Sequence, residues 1–332
     1  MTRLCALNGI QSEFAYFAKK TKPMHKIGIA IHGGAGTLRP QDMNEERESL
    51  YKRELKFAIQ KGVEILSAGG SALEAVEKAV IALEDCELFN AGKGSVFTSN
   101  GIHEMDASIM DGNGGKAGAV ALLRNVKNPV SLARLVMEKT NHVLLAGEGA
   151  ELFAKEIGVK FEPDDYLYSQ HRYDQLEHAR HSDKVILDHS VLNEKKFGTV
   201  GAVALDQSGN LAAATSTGGM TNKKYGRIGD SPLIGSGTYA SNESCAVSCT
   251  GSGEYFIRTN AAFHVSALMQ YGGKNLSEAT GELIHQILPK IGGDGGLIGI
   301  DRNGNISMVF NTEGMYRASW NEDGEIHLGI YS

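Results

Sequence analysis

The chain has 332 residues, of which 42% are hydrophobic and 22% are charged. These values are ordinary for a globular protein with one large core or two smaller ones. The formal net charge is −6 at pH 7, so no basic surplus points to nucleic acid or an anionic membrane, because phosphate binding needs clustered Lys and Arg. The 41 glycines exceed the roughly 23 expected for this length, which predicts many tight turns and close backbone contacts.

Several features of the sequence predict the cellular compartment of the protein. No apolar run reaches the 18 residues that a membrane span needs. Residues 1–25 lack the apolar core of a signal peptide, and we interpret them as an N-terminal extension, either disordered or preceding a true start at Met24. The four cysteines are too few for a disulfide scaffold, and Cys245 and Cys249 are expected to be small buried hydrophobes. Together these features predict a cytoplasmic protein.

The N-terminal part of the chain predicts a strand followed by two helices. Ile27, Ile29 and Ile31 alternate with small residues in KIGIAIHGGAG, which is typical of a buried strand that enters a glycine turn. Apolar residues at helical spacing predict a helix over 50–66. Ser71 is predicted to cap the next helix, with Glu74 completing a capping box.

Next come a glycine-rich loop, LFNAGKGSVF, and a strand, turn and strand in HEMDASIMDGNGGKAGAVALL. Helices are predicted from Pro129 to about 140 and over 145–156. Residues 160–198 are polar and show little periodicity, so we expect a flexible tail there without regular structure. Its four histidines lack HxH or HExxH spacing, which disfavours a metal site.

Residues 198–332 contain one pattern twice. GTVGAVALDQSGNLAAATSTGG returns as GLIGIDRNGNISMVFNT, and this alignment matches Asp206 with Asp301. Two copies indicate reused hairpin geometry rather than a solenoid. Helices are predicted between them, over 260–271 and 276–290. Grouped strands and helices predict an α+β fold, with two antiparallel sheets covered by helices.

Common catalytic motifs are absent. GKGS at 92–95 is not a phosphate-binding loop, because Gly94 stands where Ser or Thr must directly follow the lysine. The chain has no GxSxG elbow, no GxGxxG between a strand and a helix in its first half, and no cysteine in a recognisable catalytic setting.

Three threonines lie among small residues: Thr199, Thr217 and Thr250. Each could be an ordinary strand residue, but Thr199 begins a strand pattern directly after the polar segment and follows Gly198. A threonine hydroxyl needs a base, and its own freed α-amino group can serve, because the pKa of that amine is near 8. The amine exists only after the bond before Thr199 is cut, and Gly198 tolerates the strained backbone that this attack requires.

Seven sequence blocks follow one another along the chain. They are HGGAGT (32–37), LFNAGKG (88–94), MDASIMDG (105–112), GTVGAVALD (198–206), ATSTGGMTNKKYGRIGDSP (214–232), SCTGSGEYFIR (248–258) and FNTEGMYRA (310–318). Any one block is weak evidence, but in this order they resemble the plant-type asparaginase and isoaspartyl aminopeptidase family, and the resemblance covers about nine-tenths of the chain.

The resemblance implies the N-terminal-nucleophile hydrolase fold, a four-layer αββα sandwich. It implies one domain, self-cleaved into an alpha subunit (26–198) and a beta subunit (199–332), and assembly as a dimer of these heterodimers. The implied reaction is hydrolysis of isoaspartyl dipeptides and L-asparagine, which releases aspartate. No catalytic cofactor is implied, and neither nucleic acid nor a membrane is an expected partner.

The resemblance also assigns roles. By position, Thr199 is the nucleophile, Thr217 supports it, and Thr250 and Gly251 form the oxyanion hole. Arg227 and Asp230 are implied to hold the substrate α-carboxylate and α-ammonium groups. A guanidinium suits a carboxylate because its fork pairs bidentately. The resemblance further places Asn90 near the nucleophile. It also implies a structural sodium site formed by the main-chain carbonyls of Leu83, Glu84, Cys86, Phe89, Ala91 and Lys93.

Two alternatives stay open at this point. A glycosylasparaginase would use similar residues on a glycan-linked asparagine, but the missing signal sequence counts against it. Alternatively, the chain could be an uncut, inactive relative that acts as a binding subunit, and the presence of every matching catalytic residue counts against that. Arg227 and Asp230, three residues apart, could also be a surface ion pair of little energy.

Overall fold

The computed structural model describes residues 26–36, 38–181, 198–322 and 324–332. The prediction for residues 1–25 and the last part of the predicted tail, 182–197, lie outside the described residues. None of the helices in the described part of the chain combines the length and apolarity that a membrane span requires.

The described strands form two sheets. The larger has the order β12-β11-β1-β5-β6-β2-β3-β4 and the smaller β10-β9-β8-β7. Neighbouring strands are antiparallel, except that β3 and β4 pair in parallel. The strands are β1 (Gly28–Gly36), β2 (Met105–Asp111), β3 (Ala117–Leu123), β4 (Leu144–Ala146), β5 (Val200–Leu205), β6 (Leu211–Thr217), β7 (Thr238–Ala240), β8 (Cys245–Gly251), β9 (Gly295–Asp301), β10 (Ile306–Phe310), β11 (Gly314–Asn321) and β12 (His327–Tyr331).

The described helices are α1 (Glu45–Ser67), α2 (Ala72–Glu84), α3 (Pro129–Lys139), α4 (Gly147–Glu156), α5 (Gln170–His181), α6 (Gly253–Thr259), α7 (Ala261–Gln270), α8 (Leu276–Glu282) and α9 (Leu288–Lys290). A π-helical turn, Leu283–Ile287, joins α8 to α9. The predicted cap of α2 is present, because the Ser71 side chain accepts from the backbone N–H of Glu74.

Three apolar cores show how the layers stack. One lies between the large sheet and helices α1 to α3, and another lies between the small sheet and helices α6 to α9. The third fills the space between the two sheets, and many of its residues are alanines, such as Ala30, Ala213 and Ala246. The order is therefore helix, sheet, sheet, helix, which confirms the predicted αββα sandwich.

Helix α5 corrects the expectation that residues 160–198 lack regular structure. Its buried positions, Arg172, Gln175, Leu176 and Ala179, have helical spacing. Two of these four side chains are polar, so the apolar periodicity that marks a helix is weak here. The predicted arrangement of sheets also needs one refinement, since β4 adds a parallel edge to an otherwise antiparallel sheet.

The repeated hairpin pattern has a structural cause. In the turn between β5 and β6, Asp206 accepts from the backbone N–H groups of Ser208 and Asn210. Asp301 accepts equivalent bonds in the turn between β9 and β10. Asp206 alone of the two also bonds the backbone N–H of Ala72, at 3.1 Å, and so joins this hairpin to the first turn of α2.

This difference gives a matched pair of substitutions. Both aspartates are 4% exposed, and both Asp206→Ala and Asp301→Ala remove the turn bonds. Asp206→Ala should lower the free energy of unfolding by about 1 kcal/mol more, because it also removes a charged acceptor from a helix N-terminus. Urea unfolding of both variants measures the difference. Equal losses would show that the bond to Ala72 adds no stability.

Candidate active site

Thr199 directly precedes β5, which lies between β1 and β6 in the centre of the large sheet. Its side chain is nearly buried, and its hydroxyl donates to the Thr217 hydroxyl at 3.2 Å. Thr217 ends β6, and antiparallel pairing of Val200 with Ser216 places the two threonines side by side. The sheet register therefore sets the contact between the two hydroxyls.

The carbonyl oxygen of Gly198, immediately before Thr199, accepts two hydrogen bonds. The Asn90 side-chain amide donates to it at 2.8 Å and the Thr217 hydroxyl at 2.9 Å. Asn90 is fully buried and held in place, since its Oδ1 accepts from the backbone N–H of Val96 and its Nδ2 also bonds Gly219 O. Two donors on one carbonyl oxygen are the arrangement that stabilises a developing oxyanion.

A small cleft opens in front of Thr199. Six residues predicted from the sequence line it together, although they come from separate segments of the chain. Its lining is Gly198, Thr199, Thr217, Gly219, Met220, Arg227, Gly229, Asp230, Ser231 and Gly251.

Asp230 is the group in this cleft whose pKa is most displaced. Burial raises the pKa of Asp230 to about 7, although Arg227 opposes the shift. Its Oδ2 is buried and has no hydrogen-bond partner within the described residues. A buried carboxylate oxygen without a donor is costly, so this group suits a cationic ligand.

Arg227 makes a contact that the sequence did not predict. Its guanidinium Nε donates to Glu254 at 2.8 Å and its Nη2 donates at 3.0 Å, so that Glu254 binds one edge of the fork. Hydrogen bonding to Arg227 lowers the pKa of Glu254. Since Glu254 is half exposed, the ion pair adds little stability, but it orients Arg227. Glu254 lies in the resembling block SCTGSGEYFIR, yet no spacing rule identifies it as a partner.

Thr250 and Gly251 end β8 beside the cleft. Thr250 is fully buried and lies outside the cleft lining, and its hydroxyl oxygen accepts from the backbone N–H of Ala35 at 3.3 Å. Gly251 lines the cleft, and a Cβ there would lie 2.6 Å from the carbonyl oxygen of Asp294. Only glycine fits so close to that backbone.

The loop over 83–93 carries Asn90, and its donor chemistry fits a cation bound by main-chain oxygens. The carbonyls of Leu83, Phe89 and Ala91 each accept a backbone N–H of this loop, and a carbonyl oxygen has a second lone pair. A Cβ on Gly92 or Gly94 would collide with loop carbonyl oxygens, so these oxygens point into the loop. Within the described residues, no cluster of three His, Cys, Asp or Glu offers a side-chain metal site.

A larger cavity lies elsewhere, against α4 and the loop before α5. Phe97, His103, Arg124 and Tyr168 are among its lining residues, and none of the predicted site residues lines it. The small cleft is the better candidate, because it holds the paired threonines and the carbonyl with two donors.

Similarity to known proteins gives the family. The family model described as asparaginase matches residues 24–330. The chain belongs to the asparaginase family. It is 54% identical to the isoaspartyl peptidase of Salmonella typhimurium, with 93% of this chain and 99% of that protein covered, and 54% identical to that of Escherichia coli, with 93% and 97% covered. Identity to the human isoaspartyl peptidase/L-asparaginase is 42%, with 92% and 96% covered.

The pKa of Asp230 predicts an unusual pH dependence of stability. In the unfolded chain this carboxyl ionises near pH 4, so between about pH 4 and 7 the folded state binds more protons. Asp230 therefore costs stability above pH 7, and the cost disappears as pH falls toward 4. Asp230→Asn should raise the free energy of unfolding by about 2 kcal/mol at pH 8 and change it little at pH 4.

Thermal or urea unfolding of both proteins at the two pH values measures this difference. An asparagine variant that is less stable than the parent at pH 8 would show that Asp230 has a partner in the folded protein.

Proposed function

We propose that this protein is a self-cleaving threonine amidohydrolase. It cuts the bond between Gly198 and Thr199, and then uses Thr199 to hydrolyse isoaspartyl dipeptides and L-asparagine with release of aspartate. The observation that carries the proposal is the Gly198 carbonyl, whose oxygen accepts from Asn90 and Thr217 while the adjacent Thr199 hydroxyl bonds Thr217. The names of the Salmonella and human relatives support the choice of substrates.

The hydrogen bonds suggest how the chain cuts itself. Thr199 Oγ1 attacks the Gly198 carbonyl carbon, and its proton moves toward Thr217 Oγ1 at 3.2 Å. Thr217 already donates to the Gly198 oxygen, so it can pass a proton to the site where negative charge develops, while Asn90 stabilises that charge. The proton on the Gly198 oxygen then passes to the Thr199 nitrogen as the carbonyl re-forms and the C–N bond breaks, which leaves an ester on Thr199 Oγ1 and a free amine on Thr199. Water hydrolyses the ester, releases the Gly198 carboxylate and restores the hydroxyl.

The freed amine then acts as the base for substrate. It takes the proton of Thr199 Oγ1 as the oxygen attacks the substrate's side-chain carbonyl. Thr250 and Gly251 stabilise the oxyanion, for which the Thr250 hydroxyl keeps its hydrogen available, since it is the acceptor from Ala35. Ammonia or an amino acid leaves with a proton from the amine, and water hydrolyses the acyl-enzyme to aspartate.

The substrate is bound by its α-groups. The end of Arg227 that Glu254 leaves open pairs with the α-carboxylate. The unpartnered oxygen of Asp230 accepts from the α-ammonium, which also favours the ionised carboxylate and lowers its raised pKa. Two groups held at fixed positions orient the reacting carbonyl toward Thr199.

The proposal includes the wider organisation implied by the sequence. The products of self-cleavage are an alpha subunit ending at Gly198 and a beta subunit beginning at Thr199, within one domain, and two such pairs form the assembly in the cytoplasm. The extensive pairing of β5 with β1 and β6 supports this, because strands from both sides of the cut remain in one sheet.

The test of function compares the parent protein with Thr199→Ala. After incubation at neutral pH, intact mass spectrometry should show fragments 1–198 and 199–332 only for the parent. The cut protein should then hydrolyse isoaspartyl-leucine and L-asparagine, and the variant should have at least about 10³-fold less activity, since both nucleophile and base are missing.

Two further variants serve as controls for the separate steps. Asn90→Ala removes a donor to the Gly198 oxygen and should slow self-cleavage by roughly 10²-fold. Arg227→Ala should cut itself at the parental rate and yet bind substrate poorly. A parent protein that stays whole, or that cuts without hydrolysing either substrate, contradicts the proposal.

We further propose a structural sodium ion in the 83–93 loop, held by the main-chain oxygens of the six residues implied by the resemblance. Its role is to fix the loop that positions Asn90. Because a ligand of the folded state stabilises it by mass action, the thermal midpoint should be higher in sodium chloride than in choline chloride at equal ionic strength. Equal midpoints at every concentration would exclude the site.

A further inference from the structure

A polar row crosses the apolar core between the two sheets, two residues behind the Thr199 position. Four residues in register on neighbouring strands of the large sheet face two paired residues of the small sheet. They are His32, Gly201, Thr215 and Ser108, opposite Ser248 and Thr238. The five side chains of this row are fully buried, although alanine, valine, isoleucine and methionine surround them in this core.

These side chains form a continuous hydrogen-bonded chain that ends at the nucleophile. The His32 ring bonds the Thr199 carbonyl oxygen through Nδ1 at 2.9 Å and the Ser248 hydroxyl through Nε2 at 2.9 Å. Beyond Ser248 the contacts run to Thr215 at 2.7 Å, to Thr238 at 2.5 Å and to Ser108 at 2.7 Å, and Ser108 also reaches Ser231 O at 2.6 Å.

The bond from His32 to the Thr199 carbonyl fixes which atom donates in each bond of the hydrogen-bonded chain. A carbonyl oxygen only accepts, so His32 must carry its hydrogen on Nδ1. Burial lowers the pKa of His32 to about 3, so the ring is neutral and Nε2 accepts from Ser248. Thr215 then donates to Ser248, and Thr238 donates to Thr215. From Thr238 to His32 the donors therefore point toward Thr199, an arrangement in which neighbouring hydrogen bonds strengthen each other. Thr215 also lies 3.2 Å from Gly237 O, and the single hydroxyl hydrogen of Ser108 goes either to Ser231 O or to Thr238.

Gly201 shows that this contact constrains the nucleophile strand itself. A Cβ at this position would collide with Ser248 Oγ and lie 2.6 Å from His32 Nε2. Gly201 lies two residues after Thr199, at the point where β5 crosses the bond between His32 and Ser248. Any side chain here would separate the imidazole from the hydroxyl that holds it.

We propose that His32 is a positioning residue for the nucleophile. The hydroxyl chain fixes the orientation of the ring, and the ring holds the Thr199 carbonyl, which sets the rotation of the Thr199 backbone and thereby directs its side chain at Thr217. His32 is not itself a lining residue of the cleft, and its bond to that lining is the one to the Thr199 carbonyl oxygen, so it acts through Thr199. This proposal rests on the proposed role of Thr199 as nucleophile.

The experiment compares His32→Gln, His32→Phe and a matched control, His103→Phe, in the full-length chain. Glutamine keeps one donor and one acceptor, whereas phenylalanine keeps only the ring. His103 is also buried, its ring packs on Phe97, and its ring nitrogens form no hydrogen bond within the described residues, so it is not part of the hydroxyl chain. The measurements are self-cleavage followed by intact mass spectrometry and steady-state hydrolysis of isoaspartyl-leucine by the cut enzymes.

His32→Phe should slow self-cleavage and lower kcat, each by at least about tenfold, with KM within about threefold, because misplacement of a nucleophile acts on the chemical step. His32→Gln should stay within about threefold of the parent in both rates. A His32→Phe variant that matches His103→Phe, or a glutamine variant as slow as phenylalanine, overturns the proposal.

A second measurement is independent of activity. Nitrogen NMR of the uncut Thr199→Ala chain with labelled histidine should show a neutral ring protonated on Nδ1 at pH 7, and this signal should disappear with His32→Gln. Ser248→Ala keeps the imidazole but removes the hydroxyl that bonds Nε2, so it should perturb the same signal. This variant replaces His32→Phe as the test if His32→Phe does not fold. A ring protonated on Nε2 alone contradicts the positioning role. A parent that never cuts itself, but shows the Nδ1–H signal, contradicts the proposed function and leaves the hydrogen-bonded chain intact.

Discussion

The candidate site depends on one interaction, the pair of hydrogen bonds that Asn90 and Thr217 donate to the carbonyl oxygen of Gly198. The three residues come from the loop after α2, the end of β6 and the residue pair before β5. Their meeting requires the β5–β6 register, because a slip by one residue would turn Thr217 to the opposite face of the sheet. It also requires a rigid loop, since Asn90 has to donate from a position outside both strands.

Polar groups around Thr199 fall into two sets that differ in how well they are satisfied. In the row behind the nucleophile, His32, Ser248, Thr215 and Thr238 have partners on both sides, and such a network is rigid. Asp230 is buried with an unpartnered oxygen and a raised pKa. Only a group with an unsatisfied atom gains a new hydrogen bond when a ligand arrives. Asp230 is therefore suited to bind a ligand, whereas the fully bonded row is suited to hold its neighbours in position.

The sequence predicted the elements whose causes are local. Alternation identified β1, and the Asp206 and Asp301 turns repeat because each carboxylate bonds two backbone N–H groups of its own turn. Helix α5 was missed because half of its buried face is polar. The predicted start of α1 was late, since Asn44 caps that helix before its apolar face begins.

The sequence was less informative about contacts between distant segments. His32 and Glu254 both lie in blocks that resemble the family, but their partners are a backbone carbonyl and an arginine, in contacts that span 167 and 27 positions. The bond of His32 goes to a main-chain oxygen and constrains no second side chain, so it leaves no pair of residues to find in the sequence. Glu254 and Arg227 do form a side-chain pair, but no spacing rule links two residues 27 positions apart. The sheet register brings His32 opposite Gly201, and the register is known only once the strand order is known.

The geometry also separates the two reactions that one cleft would perform. In the proposed mechanism Asn90 and Thr217 act on the Gly198 carbonyl, and that acceptor departs when the bond before Thr199 is cut. Thr217 is then free to support the new amine, whereas Asn90 keeps its bond to Gly219 O. Arg227 and Asp230 line the cleft in front of Thr199, and among the described residues neither forms a hydrogen bond to Gly198, so neither has a role in the proposed self-cleavage. Under this proposal, self-cleavage and substrate hydrolysis share only Thr199 and Thr217, so substitutions at Arg227 or Asp230 should change substrate binding without preventing self-cleavage.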